Sequence, residues 1–214
     1  MRGVVLISGS GSNLQSLIDT SEQSKMDIRA VFSDQAEAYG LERARTAHVP
    51  AHFVDPGQYA GREEFDRELQ GQIDAYEPQL LLLAGFMRIL SPQFVNHFAG
   101  HILNIHPSLL PRYRGLHTHR RVLEAGDRQH GCSIHFVTDE LDGGPLIAQA
   151  QIDVLAQDDE TTLSARVQQR EHKLYPLVVS WFATERLRTH DGVAWLDGEP
   201  LSKPVVYAQD EEIR

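Results

Sequence analysis

Short apolar runs alternate with longer amphipathic stretches along most of the chain. The runs at 4–7 (VVLI), 28–33 (IRAVFS) and 80–84 (LLLLA) have the length of strands. The stretches between them are helical in pattern, which is typical of successive strand–helix–strand units. The run at 80–84 is apolar throughout, as expected of a central parallel strand that is buried on both faces.

The stretch at 62–76 predicts the clearest helix, and Pro78 follows it as a stop. Its apolar positions fall on one helical face: Phe65, Leu69 and Ile73. A shorter helix is predicted over 91–98, with Ser91 as its cap and proline at its first position. The pattern therefore predicts helices that pack one apolar face against a sheet.

The second half of the chain predicts an antiparallel addition to this sheet. Two β-rich runs between 131 and 154 flank a turn rich in Gly and Asp, which is the pattern of a hairpin. A long helix follows, with Asp158 or Asp159 as its cap. Pro176 inside that helix is expected to kink or split it unless tertiary packing compensates. The tail carries an Asp-Gly turn and predicts a last hairpin.

Together these elements predict an α/β fold. We expect an open, mostly parallel twisted sheet with helices on both faces and an antiparallel hairpin addition. The length of 214 residues fits a single domain over 1–214. Within it we distinguish a first half of about 1–100, a second half of about 101–190 and a C-terminal hairpin of about 191–214.

Composition narrows the function classes. The net charge is −10, which argues against a nucleic-acid or anionic-membrane binder, because such proteins carry a basic stripe. The one cysteine, Cys132, excludes an intramolecular disulfide and a zinc site built from several cysteines. The longest apolar run, LLLLAGF, is too short to span a bilayer, and no leader segment precedes the first strand. We expect a cytoplasmic protein.

The first candidate site is SGSGSN at 8–13, where a strand, a glycine-rich turn and a helix start follow one another. Glycines let a backbone approach an anion closely, and the first N–H groups of a helix favour negative charge. Leu14 stands where a dinucleotide fingerprint has its third glycine, and no Lys-Ser/Thr ending marks a Walker A loop. The pattern therefore favours a single phosphate, and a tight turn without a ligand is the alternative.

The second candidate is HILNIHP at 101–107. Asn104 and His106 are two residues apart, so both side chains point to one face of the strand that Pro107 ends. Ligands of open α/β sheets bind at such carboxyl ends of strands. Asn and protonated His both donate hydrogen bonds, so together they could stabilise an oxyanion. A purely structural histidine is the alternative.

The third candidate is DELDGG at 139–144. Asp142 precedes two glycines in the predicted turn, and a carboxylate beside His106 would favour the charged form of the imidazole. Spacing alone does not show that the two meet, and a solvated loop is the alternative. The nearby HTH at 117–119 lacks the spacing of a metal site, so we interpret His119 as a helix-start residue or a substrate contact.

Seven segments carry a family resemblance that spans nearly the whole chain: VLISGSGSNLQSLID, YGLERAR, LAGFMRILSP, LNIHPSLLP, GLHTH, IHFVTDELDGGP and QREHKLYPLVVSWFA. The chain resembles the phosphoribosylglycinamide formyltransferases. LNIHPSLLP alone is typical of the wider group of enzymes that use 10-formyltetrahydrofolate. The resemblance implies a Rossmann-like formyltransferase fold, with the phosphate in the first half and the folate and the catalytic groups in the second.

The resemblance also implies roles for individual residues. It places the catalytic groups at Asn104, His106 and Asp142. The residues implied for binding of the amine substrate are Gly11, Ser12 and Asn13 at its phosphate, and Gln168 and Glu171 at its ribosyl-glycinamide part. The residues implied on the folate side are Arg62, Met87, Arg88, Ile89, Leu90, Asn104, Thr138, Asp139, Glu140, Leu141 and Asp142.

The implied reaction moves the formyl group of 10-formyltetrahydrofolate to the amine of N1-(5-phospho-D-ribosyl)glycinamide, in de novo purine biosynthesis. The folate is a co-substrate, and no metal is expected. The expected partners are these two small molecules, without nucleic acid or membrane, and the chain is expected to be a monomer or weak homodimer. The alternatives are a hydrolase of the same folate, whose members carry a further domain before the first strand, and a non-catalytic nucleotide-binding module.

Overall fold

The computed structural model describes residues 1–213, which form strands and helices in the predicted alternation. The strands are β1 (Arg2–Ile7), β2 (Asp27–Ser33), β3 (Ala51–Phe53), β4 (Leu80–Leu83), β5 (Ile102–His106), β6 (Gln129–Phe136), β7 (Leu146–Asp153), β8 (Leu187–His190), β9 (Val193–Leu196), β10 (Glu199–Pro200) and β11 (Val205–Tyr207). The helices are α1 (Ser12–Asp19), α2 (Tyr39–Thr46), α3 (Arg62–Asp74), α4 (Pro92–His97), α5 (Thr118–Ala125) and α6 (Glu160–Ala183).

Eight of the strands form one sheet in the order β11-β7-β6-β5-β4-β1-β2-β3. The five strands β3, β2, β1, β4 and β5 are parallel to one another. β6 is antiparallel to both β5 and β7, while β11 is parallel to β7. The predicted open, mostly parallel sheet with an antiparallel addition is therefore confirmed.

Helices cover both faces of this sheet, as predicted. On one face, the buried side chains of α1, α2 and α6 form a cluster with Val5 and Ile7 of β1. On the other face, Phe65 of α3 and Phe94 of α4 pack in a cluster with Val4 and Leu6 of β1. Because side chains alternate along a strand, β1 supplies both clusters and is buried from Gly3 to Ile7.

The order of the strands positions a crevice. β1 lies between β2 and β4, so the chain leaves β1 toward one side of the sheet and later returns on the other side. The carboxyl ends of β1, β4 and β5 meet at one edge of the sheet, because these strands are parallel. Such a reversal of strand order opens a crevice where ligands of α/β sheets bind.

The long helix α6 begins as predicted but does not break. The Asp159 side chain accepts the backbone N–H of Thr162, and the Thr162 hydroxyl in turn accepts the N–H of Asp159. Pro176 lies inside the helix without ending it. The tertiary packing compensates here, because Tyr175, Pro176 and Val178 are buried against the sheet. None of the helices within residues 1–213 is both long and apolar enough to cross a bilayer.

Two parts of the chain differ from the sequence-based expectations. A C-terminal hairpin was predicted over 191–214, of which residue 214 lies outside the described residues. The described tail instead contains a three-stranded sheet of β8, β9 and β10, which starts earlier than predicted, and β11 joins the edge of the main sheet beside β7. The Asp197–Gly198 turn does join β9 to β10. Helix α5 was anticipated only as a possible helix start at His119, because only Thr118 and Val122 are buried in it and so few buried positions give no visible period.

Candidate active site

The carboxyl end of β5 lies at the centre of a cleft of about 710 Å³. Asn104 and His106 both line this cleft, as expected for side chains two apart on one strand. His106 is 6% exposed, so the protein surrounds most of its imidazole. The glycine-rich turn after β1 and the loop after β4 line the same cleft. The crevice predicted from strand order therefore contains both candidate groups.

Asp142 meets His106 in this cleft. One carboxylate oxygen, Oδ2, lies 3.5 Å from His106 Nδ1, and both side chains are 8% exposed. The backbone N–H of Gly115 donates to the same oxygen at 2.8 Å. The juxtaposition on which the sequence-based hypothesis depended is thus present, and a backbone N–H orients the carboxylate.

The path of the chain after β6 explains how Asp142 comes to lie beside His106. At the end of β6, Phe136 pairs with Leu103, three residues before His106 on β5. Residues 137–145 then fold back along the face of the sheet to bring Asp142 to His106. Asp142 itself has a φ of 48° in the left-handed region, which Asp tolerates better than most residues.

Both ring nitrogens of His106 face hydrogen-bond acceptors. Its Nε2 lies 2.9 Å from the carbonyl oxygen of Tyr113, which can only accept, so Nε2 carries a proton. If Nδ1 were unprotonated, its lone pair would face the carboxylate of Asp142. Protonation of Nδ1 replaces this repulsion with attraction. Asp142 can therefore stabilise a positive charge on the imidazole when a reaction places one there.

His135 is a site residue that the sequence analysis missed. It lies directly opposite Asn104 in the antiparallel pairing of β5 with β6, so the two side chains share a face. Its Nδ1 donates to the carbonyl of Phe136 at 2.9 Å, which leaves Nε2 to accept from Asn104 Nδ2 at 3.1 Å. Burial lowers the pKa of His135, which keeps it a neutral acceptor. Its position in the first β-rich run of the predicted hairpin was the available signal.

This contact fixes the orientation of the Asn104 amide. Because His135 Nε2 accepts, the group facing it must be the NH₂ of Asn104 and not its oxygen. The second N–H of that amide has no partner among residues 1–213 and belongs to a side chain that lines the cleft. Asn104 can therefore donate a hydrogen bond to a bound ligand.

The glycine turn, residues 8–11, closes one end of the cleft. Gly11 has a φ of 70°, and a Cβ there would lie 2.5 Å from the Cα of Gly40. Both facts require glycine. Arg43 Nε donates to the carbonyl of Ser10 at 2.8 Å, which fixes the turn from the side of α2. Helix α1 begins at Ser12 directly after the turn, so its first N–H groups lie where a phosphate was predicted.

Helix α6 completes this end of the cleft. Gln168 Nε2 donates to the hydroxyl of Ser12 at 2.7 Å, and Asn13 Nδ2 donates to Glu171 Oε2 at 2.9 Å. Burial raises the pKa of the Glu171 carboxyl, and the hydrogen bond from Asn13 opposes that shift. The buried Oδ1 of Asn13 has no partner within residues 1–213. The five residues implied for the amine substrate thus line one wall of the cleft.

The residues implied for the folate lie mostly at the other end of the cleft. Met87, Arg88 and Ile89 line it directly. A cavity of about 90 Å³ adjoins it and is lined by Arg88, Ile89, Leu90, Asn104, Thr138, Asp139, Glu140, Leu141 and Asp142, among others. The side chains of Met87, Ile89 and Leu141 are 64%, 54% and 49% exposed. Exposed apolar side chains gathered at a cleft indicate a binding surface.

Arg62 is the exception among the residues implied for the folate. It is the first residue of α3 and lines a separate shallow depression with its neighbours in sequence. One helical turn later, the ring of Phe65 lies 4.5 Å from the guanidinium of Arg88. Arg62 therefore lies apart from the residues that line the cleft, and its role stays a prediction.

Two histidines at the start of α5, His117 and His119, line the cleft. His117 has a φ of 58° and precedes α5, and His119 lies in its first turn, where it contacts His130 at 2.9 Å between ring nitrogens. Burial lowers the pKa of His130 to about 3, so this ring is neutral. No group of three or more metal-ligating side chains is found within residues 1–213. Its position in the first turn of α5 agrees with one of the two interpretations of His119, that of a helix-start residue.

Comparison with known proteins places the chain in a family. A family model described as "Formyl transferase" matches residues 1–179. The phosphoribosylglycinamide formyltransferase of Escherichia coli (strain K12) is 58% identical over 213 residues, which are 99% of this chain and 100% of that protein. The enzyme of the same name from Haemophilus influenzae is 43% identical over 93% of this chain and 95% of its own length. A solved phosphoribosylglycinamide formyltransferase from Coxiella burnetii superposes with a TM-score of 0.93 at 49% identity, covering 97% of this chain and 99% of that one.

Proposed function

Since this chain belongs to the formyl transferase family, we propose that it transfers the formyl group of 10-formyltetrahydrofolate to the amine of N1-(5-phospho-D-ribosyl)glycinamide. The products are the N-formyl compound and tetrahydrofolate, and the reaction belongs to de novo purine biosynthesis. The folate is a co-substrate, and the chemistry needs no metal, because the folate carries an already activated carbonyl.

The amine substrate binds at the glycine turn. Its phosphate takes the N–H groups of Gly11, Ser12 and Asn13 at the start of α1, where the turn geometry and the helix dipole favour an anion. Gln168 and Glu171 of α6 face the ribosyl-glycinamide part. The unpartnered Oδ1 of Asn13 supports this arrangement, because a buried acceptor without a donor is completed by a ligand.

The folate binds at the opposite end of the cleft. Residues 87–90 and 138–142 surround its ring system, and the exposed side chains of Met87, Ile89 and Leu141 supply apolar contacts. Arg62 lies beyond this cavity, beside Phe65, so it meets only a part of the folate that extends out of the cleft. The two substrates thus approach each other at Asn104 and His106.

The reaction then needs positioning and charge stabilisation. The amine attacks the formyl carbon, and the carbonyl electrons move to oxygen to give a tetrahedral intermediate. The free N–H of Asn104 donates to this oxyanion, and the positive charge of His106, maintained by Asp142, stabilises it. The C–N10 bond then breaks. The amine loses one proton and N10 gains one, either through His106 or through a relayed water.

One observation carries this proposal: the contact of Asp142 with His106 lies in the same cleft as the glycine turn. A nucleotide-binding module without catalysis would need the turn but not the contact between the two side chains. A hydrolase of the same folate would need that contact but not the pairing of Ser12 and Asn13 with α6.

The deciding experiment mixes purified protein with both substrates and follows the appearance of the deformylated folate. We expect it to form only when the amine is present, together with one equivalent of formylated amine. Release of formate without the amine would identify a hydrolase. Tight binding of the amine substrate without turnover would identify a binding module.

We place the reaction in the cytoplasm, and the chain acts as a monomer or weak homodimer. The buried free thiol of Cys132 fits a reducing compartment, and this chain itself supplies every side chain that the proposed reaction uses. Fractionation of cells and sedimentation of the purified protein over a range of concentrations test both statements. Activity that requires a stable dimer would contradict the second.

A further inference from the structure

Residues 87–90 connect β4 to α4 without forming a helix or strand of their own. Two side chains from distant parts of the chain hold the backbone at either end of them. Ser8 Oγ accepts the N–H of Met87 at 2.9 Å, and Asp66 Oδ2 accepts the N–H of Ser91 at 2.5 Å. This segment is therefore fixed at both ends by side chains and not by regular secondary structure.

The first of these contacts is oriented by a buried carboxylate. The hydroxyl of Ser8 donates to Asp34 Oδ1 at 2.5 Å, and Asp34 is 5% exposed at the carboxyl end of β2. A serine hydroxyl has a single proton. Because Asp34 takes it, the lone pairs of Ser8 Oγ are directed away from Asp34, and one of them meets the N–H of Met87. Asp34 thus determines which way the Ser8 hydroxyl points.

The second contact is made by an unusual carboxylate. Asp66 is 1% exposed, and its Oδ1 has no hydrogen-bond partner within residues 1–213. A buried charged oxygen without a partner destabilises a fold, and the N–H of Ser91 needs only one acceptor. Stability of the fold alone therefore does not account for a carboxylate at this position.

The segment between the two contacts faces the cleft with its polar backbone free. The backbone groups of Arg88, Ile89 and Leu90 make no hydrogen bond within residues 1–213. The neighbouring side chains of Met87 and Ile89 are exposed at the cleft. A ligand that pairs with such free groups binds more tightly when the backbone is already fixed, because less conformational entropy is lost on binding.

We propose that Asp34 and Asp66 are positioning residues for the folate co-substrate. Asp34 acts through Ser8 at Met87 and Asp66 acts at Ser91, so that together they hold residues 87–90 in the form that binds the folate. Neither side chain touches the ligand. This inference rests on the proposed function, since it takes this side of the cleft as the folate side.

The test measures binding of tetrahydrofolate, which occupies the folate site without turnover, together with steady-state kinetics. In Asp66→Ala we expect the Kd of tetrahydrofolate and the KM of the folate co-substrate to rise about tenfold. The KM of the amine substrate and kcat should stay within about twofold of wild type. Asp66→Asn keeps an acceptor for the N–H of Ser91 and should restore binding.

Asp158→Ala is the matched control. The Asp158 side chain is 3% exposed and accepts the backbone N–H of Leu155 at 2.8 Å, but it does not line the cleft. Its loss should lower stability without changing the Kd of tetrahydrofolate. If Asp66→Ala does not fold, Ser8→Ala tests the other end of the segment through the Kd of tetrahydrofolate alone, because Ser8 also belongs to the glycine turn. Asp34→Ala should weaken binding less than Ser8→Ala, since the Ser8 oxygen remains, and an unchanged Kd would remove Asp34 from the proposal.

An unchanged Kd in folded Asp66→Ala, or an equal rise in the KM of both substrates, would overturn the inference. These outcomes are separable from failure of the proposed function. Wild-type protein that binds tetrahydrofolate but transfers no formyl group would overturn the function and leave the inference standing. Normal transfer by wild type with an unchanged Kd in Asp66→Ala would overturn the inference alone.

Discussion

At the glycine-turn end of the cleft, polar side chains already pair with one another, whereas at the folate end apolar side chains stand exposed. Ser12 and Asn13 are both hydrogen-bonded to α6. Met87 and Ile89, at the other end, are more than half exposed. The amine substrate therefore enters a preformed polar site, whereas the folate covers apolar side chains that are exposed to solvent before it binds.

The two ends of the cleft also differ in how far apart in sequence their residues lie. The glycine turn is a local feature, because strand, turn and helix follow within residues 2–19. The folate end is assembled from two irregular segments, residues 87–90 and 138–142, that come from different parts of the chain. Substitutions at the two ends should therefore change different kinetic constants, and the following predictions test that separation.

The largest effect is expected at the point where the two ends meet. Asn104→Ala removes the free amide N–H and should lower kcat by about 10²–10³, with both KM values little changed. Rapid-quench measurement of a single turnover would show the loss in the chemical step. Asn96→Ala, on the exposed surface of α4, is the control. An unchanged kcat would remove Asn104 from the mechanism.

The next largest effect is expected from a substitution that disturbs only the glycine-turn end of the cleft. Gly11→Ala places a Cβ 2.5 Å from the Cα of Gly40 at a left-handed φ. We expect a loss of about 1–3 kcal/mol in the free energy of unfolding and a KM for the amine substrate raised more than about tenfold.

Urea unfolding and steady-state kinetics measure the two effects of Gly11→Ala. The control is Gly71→Ala in α3, where an added Cβ meets nothing within 4 Å. It should stabilise the helix by about 0.5–1 kcal/mol. A rise in the KM of the folate equal to that of the amine substrate would contradict the separation of the two ends.

A smaller effect concerns the buried carboxylate of Glu171. Its pKa is raised from 4.5 by burial, so the folded protein holds this proton more tightly than the unfolded chain does. The resulting contribution to stability is fully present below the unfolded pKa and is lost as pH rises through the folded pKa. Glu171→Gln has no such titration, so its stability relative to wild type should increase with pH.

Urea unfolding of Glu171→Gln and wild type at a series of pH values from 4 to 8 measures this difference, and parallel curves for the two proteins would contradict it. The same variant should raise the KM of the amine substrate by about tenfold, because a charged hydrogen-bond acceptor is lost. The KM of the folate should not change.

The smallest effect is expected from a substitution of an exposed apolar side chain at the folate end. Met87→Ala removes a side chain that is 64% exposed, so stability should not change measurably. The KM of the folate co-substrate should rise about threefold to tenfold, as the ligand loses part of an apolar contact. Leu155→Ala, at an exposed position outside the cleft, should leave both KM values as they are.

Features that depend on local pattern could be predicted from the sequence. The glycine turn, the cap at Ser91 and the pair of Asn104 and His106 each lie within a few residues of the signal that reveals them. The buried face of α3 followed from its period of apolar residues. These parts of the fold and site are determined by short-range chemistry.

Features that depend on long-range placement could not be predicted in the same way. The approach of Asp142 to His106 depends on the reversed direction of β6, and the role of His135 depends on its register with β5. The period of α6 predicted only a helix, so Gln168 and Glu171 were found through the family resemblance. The extent of helix α5 could not be predicted, because its buried positions are too few to show a helical period.

The reversed strand β6 also limits where chain length can vary. Residues 137–145 must travel back along the sheet, so the distance from Phe136 to Asp142 is set by the number of residues between them. Loss of one residue there would move the carboxylate of Asp142 away from the imidazole of His106. An added residue would no longer hold that carboxylate in a fixed position beside the imidazole. Insertions and deletions among relatives should therefore accumulate at the distant edge of the sheet, near β3, and avoid this return path.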